Sequence, residues 1–361
     1  MVGIALLGAG IFAKEEHLPA IQAASTSGTS LKAVYSRSQK SAEALASFAG
    51  HEVDIYFDSP STDGGKSLDD LLRRDDIDAV VVALPILAQP AVIEKALRAG
   101  KHVLSEKPVA GDLDAARRLL GWYESNDGLA SGRGKPIWAV AENFRFIAGL
   151  EYAAAQVKEV GGKLVTFRLQ MNSFVKPENK YFNTEWRKVP DYQGGFLLDG
   201  GVHFIAGLRL LLAAAGGQEI KQLAGFSGLL EERLPPVDTV HAVAVTQDGK
   251  SGTIGISFGT EFKSGLEVEI VTTNGAVIWN PKLVKTMTRG DGDEKAEAKK
   301  DFGQDSGVKA EVEAFVKSIV AGKNEVDSRQ SPLEALKDLE IIQRLLESGE
   351  GGASVKTLEG K

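Results

Sequence analysis

Residues 2–13 read VGIALLGAGIFA, an apolar run that passes into glycines. The run predicts a buried β-strand, and the glycines predict a sharp turn into a helix. Their spacing, GxGxxA, is a version of the dinucleotide-binding fingerprint: the first glycine permits the turn and the second lets a pyrophosphate approach the backbone. Glycines that only make a turn are the alternative. The predicted cofactor-binding residues here are Gly8, Gly10, Ile11, Phe12 and Ala13.

The pattern after this opening continues to about residue 142. Short β-branched runs alternate with amphipathic segments, which is typical of βαβ units and a parallel sheet. The glycine-rich segment 125–135 is predicted to be a surface loop within this pattern. Strands are predicted at residues 2–7, 31–35, 54–57, 79–84, 102–104 and 137–141, and helices at 68–74, 89–99 and 113–123.

The pattern changes after Glu142, where strands follow one another with only short turns between them. This order predicts an antiparallel sheet. The charged segment 289–305 has almost no apolar side chains and is predicted to be a solvated loop. Apolar residues at helical spacing predict closing helices at 308–320 and from Pro332 onward, the second with a capping box. Strands are predicted at residues 164–172, 240–246, 251–257, 266–272 and 276–279.

Together these patterns predict an α/β fold, and the length of 361 residues fits two domains of ordinary size. Residues 1–142 are predicted to be an N-terminal Rossmann domain, with a doubly wound parallel sheet that binds the cofactor. Residues 143–361 are predicted to be a C-terminal α+β domain with a large, mainly antiparallel sheet. We expect this second domain to bind the substrate and to mediate oligomerisation.

Composition excludes several classes of function. The 42 Lys and Arg residues stand against 49 Asp and Glu, so the net charge of −7 offers no general attraction to nucleic acid or to an anionic membrane. The absence of cysteine excludes disulfides and thiolate metal sites and fits a cytoplasmic protein. The five histidines show no metal-binding spacing, so we expect no metal site. Residues 79–93, the apolar run considered as a membrane span, are too short.

The residues after the second predicted strand bear on the identity of the dinucleotide. An NAD-binding site usually has an Asp or Glu there, which accepts hydrogen bonds from the ribose hydroxyls. This chain has Ser36, Arg37 and Ser38 instead. A carboxylate would repel a 2′-phosphate, whereas a guanidinium flanked by hydroxyls can bind it. The segment therefore predicts NADP. The alternative is a solvated Arg37 that stacks on the adenine.

A candidate catalytic segment follows the fifth predicted strand, where Glu106, Lys107 and Pro108 stand in sequence. The carboxyl edge of an open α/β sheet is where such folds bind ligands. Pro108 disfavours a helical backbone at Lys107, so the lysine can extend toward that edge. Its ammonium group would stabilise negative charge developing on a substrate oxygen or position the substrate hydroxyl, and Lys107 is also an alternative to a histidine as the proton-transfer group. A surface turn is the alternative.

A second candidate segment reads GGFLLDGGVH at residues 194–203. Asp199 and His203 are four residues apart, so on a helix they share one face. Close approach of the backbone to a ligand would explain the four glycines, which are costly inside a helix. Histidine gives and takes protons near neutral pH, so His203 is the predicted base, and Asp199 would hold it or a substrate hydroxyl. A helix-capping aspartate beside an incidental histidine is the alternative.

Several of these motifs together resemble the Gfo/Idh/MocA family of NAD(P)-dependent oxidoreductases, most closely its fungal NADP-linked branch. The resemblance implies that Lys107, Asp199 and His203 are catalytic, in agreement with the roles above. It also implies that Glu106 contacts the cofactor. Relatives often pair through the sheet of the second domain, which implies a homodimer or tetramer. The matching segments are GAGIFA (8–13), HLPAI (17–21), AGKHVLSEKP (99–108), AENFRF (141–146), GGFLLDGGVH (194–203) and PLEALKDLEIIQRLLES (332–348).

The chain departs from the family pattern at three positions. Phe144 stands near the position where some members use a tyrosine as the acid, which favours His203. Ala206 removes an acid that binds polyol hydroxyls, which argues against an inositol-like substrate. The family's Pro-Asn-x-x-His is PILAQ at residues 85–89, so a contact on the nicotinamide side is altered; Leu84, Pro85 and Gln89 are the predicted residues there.

The remaining candidates for the substrate pocket are Asn143, Arg145, Trp186 and Arg187. Arg145 could equally be a buried structural arginine, and Trp186 a core or dimer-contact residue. The predicted function is NADP(H)-dependent hydride transfer to or from a small polar carbonyl or alcohol. Two alternatives are a non-catalytic dinucleotide sensor and a redox-neutral nicotinamide-dependent glycosidase.

Overall fold

The computed structural model describes residues 1–58, 66–125, 129, 134–290, 294–322 and 325–359. The chain divides into two compact units, one of residues 1–142 and 308–336, the other of residues 143–307 and 337–361. The predicted fold class is confirmed: a parallel Rossmann sheet comes first and a mainly antiparallel sheet follows. Most of the predicted loop at 125–135, namely residues 126–128 and 130–133, lies outside the described residues.

The first unit is built on a six-stranded sheet in the order β3-β2-β1-β4-β5-β6, in which every neighbouring pair is parallel. The order reverses between β1 and β4, so the carboxyl ends of these strands form the crevice where doubly wound folds bind ligands. The strands are β1 (Val2–Leu7), β2 (Thr29–Ser36), β3 (Asp54–Phe57), β4 (Ala79–Val82), β5 (His102–Glu106) and β6 (Trp138–Ala141).

The helices of this unit cover the sheet. A single π-helical turn, Ala13–His17, leads into the first of them. The strands β1 and β4 are buried along their whole length, because helices on both faces exclude water. The helices are α1 (Leu18–Ala23), α2 (Gln39–Ala46), α3 (Leu68–Leu72), α4 (Gln89–Arg98) and α5 (Leu113–Ser125).

The compact units differ from the predicted division of the chain at one segment. Residues 308–336, predicted to belong with the second domain, pack into the first unit. The reason is the apolar stripe of the helix Val308–Ala321, whose Val312 and Phe315 are completely buried in the same core as Leu6 and Ile21. Sequence order cannot show which core such a stripe enters, because a helix can return to an earlier sheet.

The second unit is built on a nine-stranded sheet in the order β14-β13-β12-β11-β7-β10-β9-β8-β15. All its neighbouring pairs are antiparallel except β7 and β10. The strands are β7 (Leu164–Asn172), β8 (Ile220–Gly228), β9 (Thr239–Thr246), β10 (Ser251–Ser257), β11 (Gly265–Thr272), β12 (Gly275–Asn280), β13 (Leu283–Arg289), β14 (Lys295–Asp301) and β15 (Lys356–Thr357).

The predicted solvated loop at 289–305 is wrong in part. Residues 295–301 form β14, which pairs with β13 through its backbone although all its side chains are exposed. Lys285 and Lys299 form ion pairs with Glu297 along this edge. Charged side chains on an edge strand hinder pairing with other chains. Because such a strand is polar on both faces, it shows no hydrophobic alternation in the sequence.

Of the helices described after residue 142, α6 and α8 pack on this sheet, and α8 is the more apolar of the two. The helix α8 is long and apolar enough to cross a membrane by length and composition alone, with a mean hydropathy of 1.6. The expectation based on residues 79–93 overlooked it. Since 61% of this window is buried inside the protein, the helix is weak evidence for a membrane span. The helices after residue 142 are α6 (Ala148–Val160), α7 (Glu185–Lys188), α8 (Gly195–Ala214), α9 (Val308–Ala321) and α10 (Pro332–Glu350).

Candidate active site

The fingerprint turn follows β1 in the first unit. Gly8 has a φ of +114°, and a Cβ there would collide with the carbonyl oxygen of Ala83, so the fold itself requires glycine. Gly10 is different, because no described atom lies within 4 Å of the position that its Cβ would take and its φ is not positive. Neither packing nor backbone conformation demands glycine at residue 10. The open space beside Gly10 is compatible with a ligand that approaches the backbone.

The Ser36-Arg37-Ser38 segment lies at the carboxyl end of β2. Ser36 ends the strand, and the Oγ of Ser38 accepts a hydrogen bond of 3.2 Å from the amide of Ser41 at the start of α2. Arg37 is exposed and makes no hydrogen bond or ion pair with any residue in the described ranges. Its guanidinium is therefore accessible to an anion at the edge of the sheet.

A carboxylate that the sequence pattern did not single out lies beside this segment. Asp58 follows β3 and accepts a hydrogen bond of 2.7 Å from the hydroxyl of Tyr35. Burial and the hydrogen bond to Asp58 raise the pKa of Tyr35 far above its ordinary value. The tyrosine therefore stays protonated and keeps its hydrogen bond to Asp58.

The Glu106-Lys107 segment ends β5. Lys107 is half-buried, and Glu106 contacts His17 with 2.6 Å between its Oε1 and the imidazole Nε2. Gln89, the first residue of α4, is 1% exposed, and neither of its amide atoms has a hydrogen-bond partner among the described residues. Leu84 and Pro85 precede it and are partly exposed. Cofactor candidates from β1, β2, β4 and β5 thus all lie at the carboxyl end of one sheet.

The candidate residues of the second unit centre on α8. Asp199 is 6% exposed and accepts a hydrogen bond of 2.7 Å from the Nε of Arg187. The guanidinium of Arg187 also stacks on the ring of Trp186, 3.9 Å from its centre. His203, one turn after Asp199, is half-buried and stacks on Phe144, with 5.0 Å between ring centres and 21° between planes. The structure therefore joins Arg187 to Asp199, which the sequence analysis treated separately.

Tyr192 is a polar residue of this cluster that sequence reasoning missed. Its ring lies 6.1 Å from that of Trp186, and its hydroxyl is buried with no hydrogen-bond partner in the described part of the chain. Burial and the charge of Asp199 raise the pKa of Tyr192 far above its ordinary value, so the hydroxyl remains a hydrogen-bond donor. The only signal in the sequence is its position, two residues before the glycine pair.

The glycines at the start of α8 have a different explanation from the predicted approach of the backbone to a ligand. A Cβ at Gly200 would lie 2.6 Å from the ring of Phe258, and one at Gly201 would lie 3.0 Å from Ile342. Gly195 has a φ of +47° and faces the carbonyl of Pro235, while Gly194 abuts Leu346. Close packing within the protein therefore accounts for these glycines, and approach of the backbone to a ligand is not needed.

Two of the predicted pocket residues make contacts inside the second unit. The Asn143 side chain donates a hydrogen bond of 2.6 Å to the carbonyl of Ser306. Arg145 and Arg209 each donate a hydrogen bond of 2.6 Å to Asp338, which is 1% exposed. Of the two interpretations given above for Arg145, the contacts support a buried structural arginine. The described residues contain no group of three or more His, Asp or Glu side chains suited to a metal ion.

Comparison with known proteins places this arrangement in a family. A model of an oxidoreductase family with an NAD-binding Rossmann fold matches residues 2–131, and the model of its C-terminal alpha/beta domain matches residues 157–357. Dehydrogenase FPY6 of Fusarium mangiferae is 55% identical over 359 residues, 99% of each chain. D-xylose 1-dehydrogenase (NADP(+)) 2 of Haloferax volcanii is 26% identical over 97% of this chain and 98% of its own.

A solved structure agrees over the same length. The crystal structure of an oxidoreductase from Thermotoga maritima has a TM-score of 0.82 and 28% identity, covering 99% of this chain and 98% of its own. The two family models account for most of the chain, and the fungal relative matches it from end to end. The predicted resemblance is confirmed: the chain belongs to the Gfo/Idh/MocA family of oxidoreductases.

Proposed function

We propose that this protein is an NADP(H)-dependent oxidoreductase that transfers a hydride between nicotinamide and a secondary alcohol, its carbonyl counterpart or an aldehyde of a small sugar- or polyol-like molecule. The observation that carries the choice of cofactor is Arg37, an accessible guanidinium at the carboxyl end of β2. It replaces the acidic residue with which NAD-binding folds bind the ribose hydroxyls. The NADP(+)-dependent xylose dehydrogenase of Haloferax, matched over nearly the whole chain, supports both the cofactor and the substrate class.

The residues of the first unit fit a dinucleotide. The space beside Gly10 and the helix start that follows it suit a pyrophosphate. Arg37, with Ser36 and Ser38 beside it, would bind the 2′-phosphate by charge-assisted hydrogen bonds. When bound, the nicotinamide supplies or accepts the hydride. The residues proposed to hold the dinucleotide are Gly8, Gly10, Ile11, Phe12, Ala13, Ser36, Arg37, Ser38, Leu84, Pro85, Gln89, Glu106 and Lys107.

Three side chains are proposed to carry the chemistry. Lys107 stabilises negative charge that develops on the substrate oxygen. His203 takes the alcohol proton during oxidation and returns it during reduction. Asp199, fixed by its hydrogen bond from Arg187, orients His203 or a substrate hydroxyl. Trp186 and Arg187 stay proposed substrate contacts.

Titration with NADPH and NADH, followed by nicotinamide fluorescence, tests the choice of cofactor. We expect the wild type to bind NADPH selectively, and Arg37→Ala to lose about ten- to a hundredfold in NADPH affinity, as expected for a charge-assisted hydrogen bond. Affinity for NADH should change little. Arg118→Ala, which removes an exposed arginine of α5 in the same unit, should leave both affinities unchanged.

Equal affinity for the two dinucleotides in the wild type would contradict the NADP assignment. Absence of any binding would contradict the oxidoreductase proposal as a whole. With selective binding established, a screen of carbonyl compounds and polyols for NADPH oxidation or NADP⁺ reduction identifies the substrate.

The open face of the second unit's sheet supports a proposed homodimer or tetramer. Phe226 is 67% and Val243 is 51% exposed. Strand register places them on one face, because Phe226 lies opposite His241 and Val243 is two residues further along that strand. Large exposed apolar side chains on one sheet face are typical of an interface. The cysteine-free composition supports the cytoplasm as the proposed compartment.

Size-exclusion chromatography with light scattering tests this assembly. We expect the wild type to elute at a multiple of 38.5 kDa, and Phe226→Glu with Val243→Glu to elute as a monomer, because charges in an apolar interface are costly to bury. Phe262→Glu serves as the control, since Phe262 is 96% exposed and lies in a loop outside the sheet. A monomeric wild type would refute the proposed assembly.

A further inference from the structure

Glu106 is one of the cofactor residues proposed above, and it contacts a buried histidine, His17, to which those proposals give no role. His17 is completely buried, and its Nε2 lies 2.6 Å from Oε1 of Glu106, whose side chain is 12% exposed. We assign the proton of this bond to Nε2 of His17 and the acceptor to the carboxyl oxygen of Glu106. The remaining ring nitrogen, Nδ1, is buried without a partner among the residues described.

The local backbone explains how a histidine reaches this place. Residues 13–17 form a π-helical turn, closed by a hydrogen bond from the amide of Leu18 to the carbonyl of Ala13. Such turns are rare overall, and those that occur often lie at functional sites, because they redirect a side chain that a regular α-helix would aim elsewhere. The ring of His17 then packs edge-on against Phe12, with 5.3 Å between ring centres.

Burial of an imidazole needs a reason. A leucine would fill the same apolar position without a buried polar atom, and here one ring nitrogen already lacks a partner within the described ranges. The bond to Glu106 is the polar contact that histidine adds. It connects the helix that follows the fingerprint turn with the end of β5, two parts of the first unit that are 89 residues apart in sequence.

The Glu106-Lys107 segment ends β5, which lies on the other side of β1 and β4 from β2 and its Ser36-Arg37-Ser38 segment, so it faces the second mononucleotide half of the crevice, that of the nicotinamide. We infer that His17 is a positioning residue: by its hydrogen bond to Glu106 it fixes the Glu106-Lys107 segment in the orientation that binds the nicotinamide half of the dinucleotide. This inference rests on the proposed binding of NADP. It does not make His17 itself a cofactor contact. The contact acts on the end of β5 and not on the Ser36-Arg37-Ser38 segment, so the two halves of the dinucleotide should respond differently to its loss.

The test compares two ligands and two amide substitutions. The ligands are NADPH and 2′-phospho-ADP-ribose, which lacks the nicotinamide. In His17→Gln the side-chain amide reaches as far as Nε2 of histidine and can still donate to Glu106. In His17→Asn an amide of the same chemistry is one methylene too short. His17→Leu removes the polar group altogether and covers the case in which the asparagine variant does not fold.

We expect His17→Asn and His17→Leu to lose about tenfold or more in affinity for NADPH, the usual effect of a lost hydrogen bond to a charged group. Their affinity for 2′-phospho-ADP-ribose should stay within about twofold of the wild type, and His17→Gln should recover most of the NADPH affinity. Equal weakening of both ligands, unfolding of all three variants, or unchanged NADPH affinity in His17→Leu would overturn the inference. A wild type that binds neither ligand would refute the proposed function instead.

Discussion

Replacing His203 by asparagine should lower the turnover number by about 10²–10⁴-fold, the usual contribution of a positioned acid–base group. Asparagine preserves a polar side chain of similar reach but cannot take up the alcohol proton. The measurement is the steady-state rate of NADPH oxidation with the carbonyl compound that reacts fastest in the substrate screen. Because His203 lies on α8 in the second unit, we expect NADPH affinity to stay close to that of the wild type.

His51→Asn is the matched control for this substitution. His51 is an exposed histidine of the first unit, and its ring nitrogens bond only to the backbone carbonyls of Ala49 and Leu31 in the described part of the chain. We expect its turnover to match the wild type. Wild-type turnover in His203→Asn would remove the histidine from the mechanism and assign the proton transfer to Lys107.

Replacing Asp338 by alanine should lower the free energy of unfolding of the second unit by about 3–5 kcal/mol, the usual cost of leaving buried charge without its partner. The carboxylate is 1% exposed and accepts hydrogen bonds from Arg145 and Arg209, which are themselves largely buried. Without it, two guanidinium groups stay in a poorly hydrated environment. Denaturation in urea, followed by circular dichroism and tryptophan fluorescence, measures the change.

Two further variants show whether burial causes this loss. Glu297→Ala also removes a carboxylate that pairs with two cations, but on the exposed strand β14, so its unfolding midpoint should be unchanged. Replacing Asp338, Arg145 and Arg209 together by leucine or methionine should recover much of the lost stability, because the opposite charges of this buried group are then removed together. A single Asp338→Ala variant as stable as the wild type would show that water reaches the two arginines.

The Rossmann domain was predictable in detail because its signals are local. The run at residues 2–7 matches β1 at both ends, and the predicted strand at 54–57 matches β3. A parallel strand covered on both faces must be apolar throughout, so sequence alone reveals it. In the second sheet the strands β7, β9, β10, β11 and β12 were also predicted, whereas β8, β13, β14 and β15 were missed. The exposed strand β14 leaves no hydrophobic pattern, because its pairing depends on the backbone of β13 and not on its own side chains.

The candidate site shows the same difference between local signals, which the sequence reveals, and contacts between distant residues, which it does not. The residue types of the GxGxxA turn, of Glu106-Lys107 and of Asp199 and His203 were apparent from spacing and from resemblance to a family. The residues that form hydrogen bonds with these side chains were not apparent. Arg187 lies 12 residues before Asp199, and His17 lies 89 residues before Glu106, so no periodicity connects either pair.

The sequence by itself determined the fold class, the fingerprint turn and the kinds of side chain that can carry hydride-transfer chemistry, because these follow from hydrophobic period, turn residues and chemical type. Only the tertiary structure decided that the helix at residues 308–321 joins the first core, that Arg145 is bound to a buried aspartate, and that the glycines of α8 serve close packing. Each of these depends on which distant residue fills the space beside a side chain. The free energy of burial sets that choice over the whole chain, and no local pattern records it.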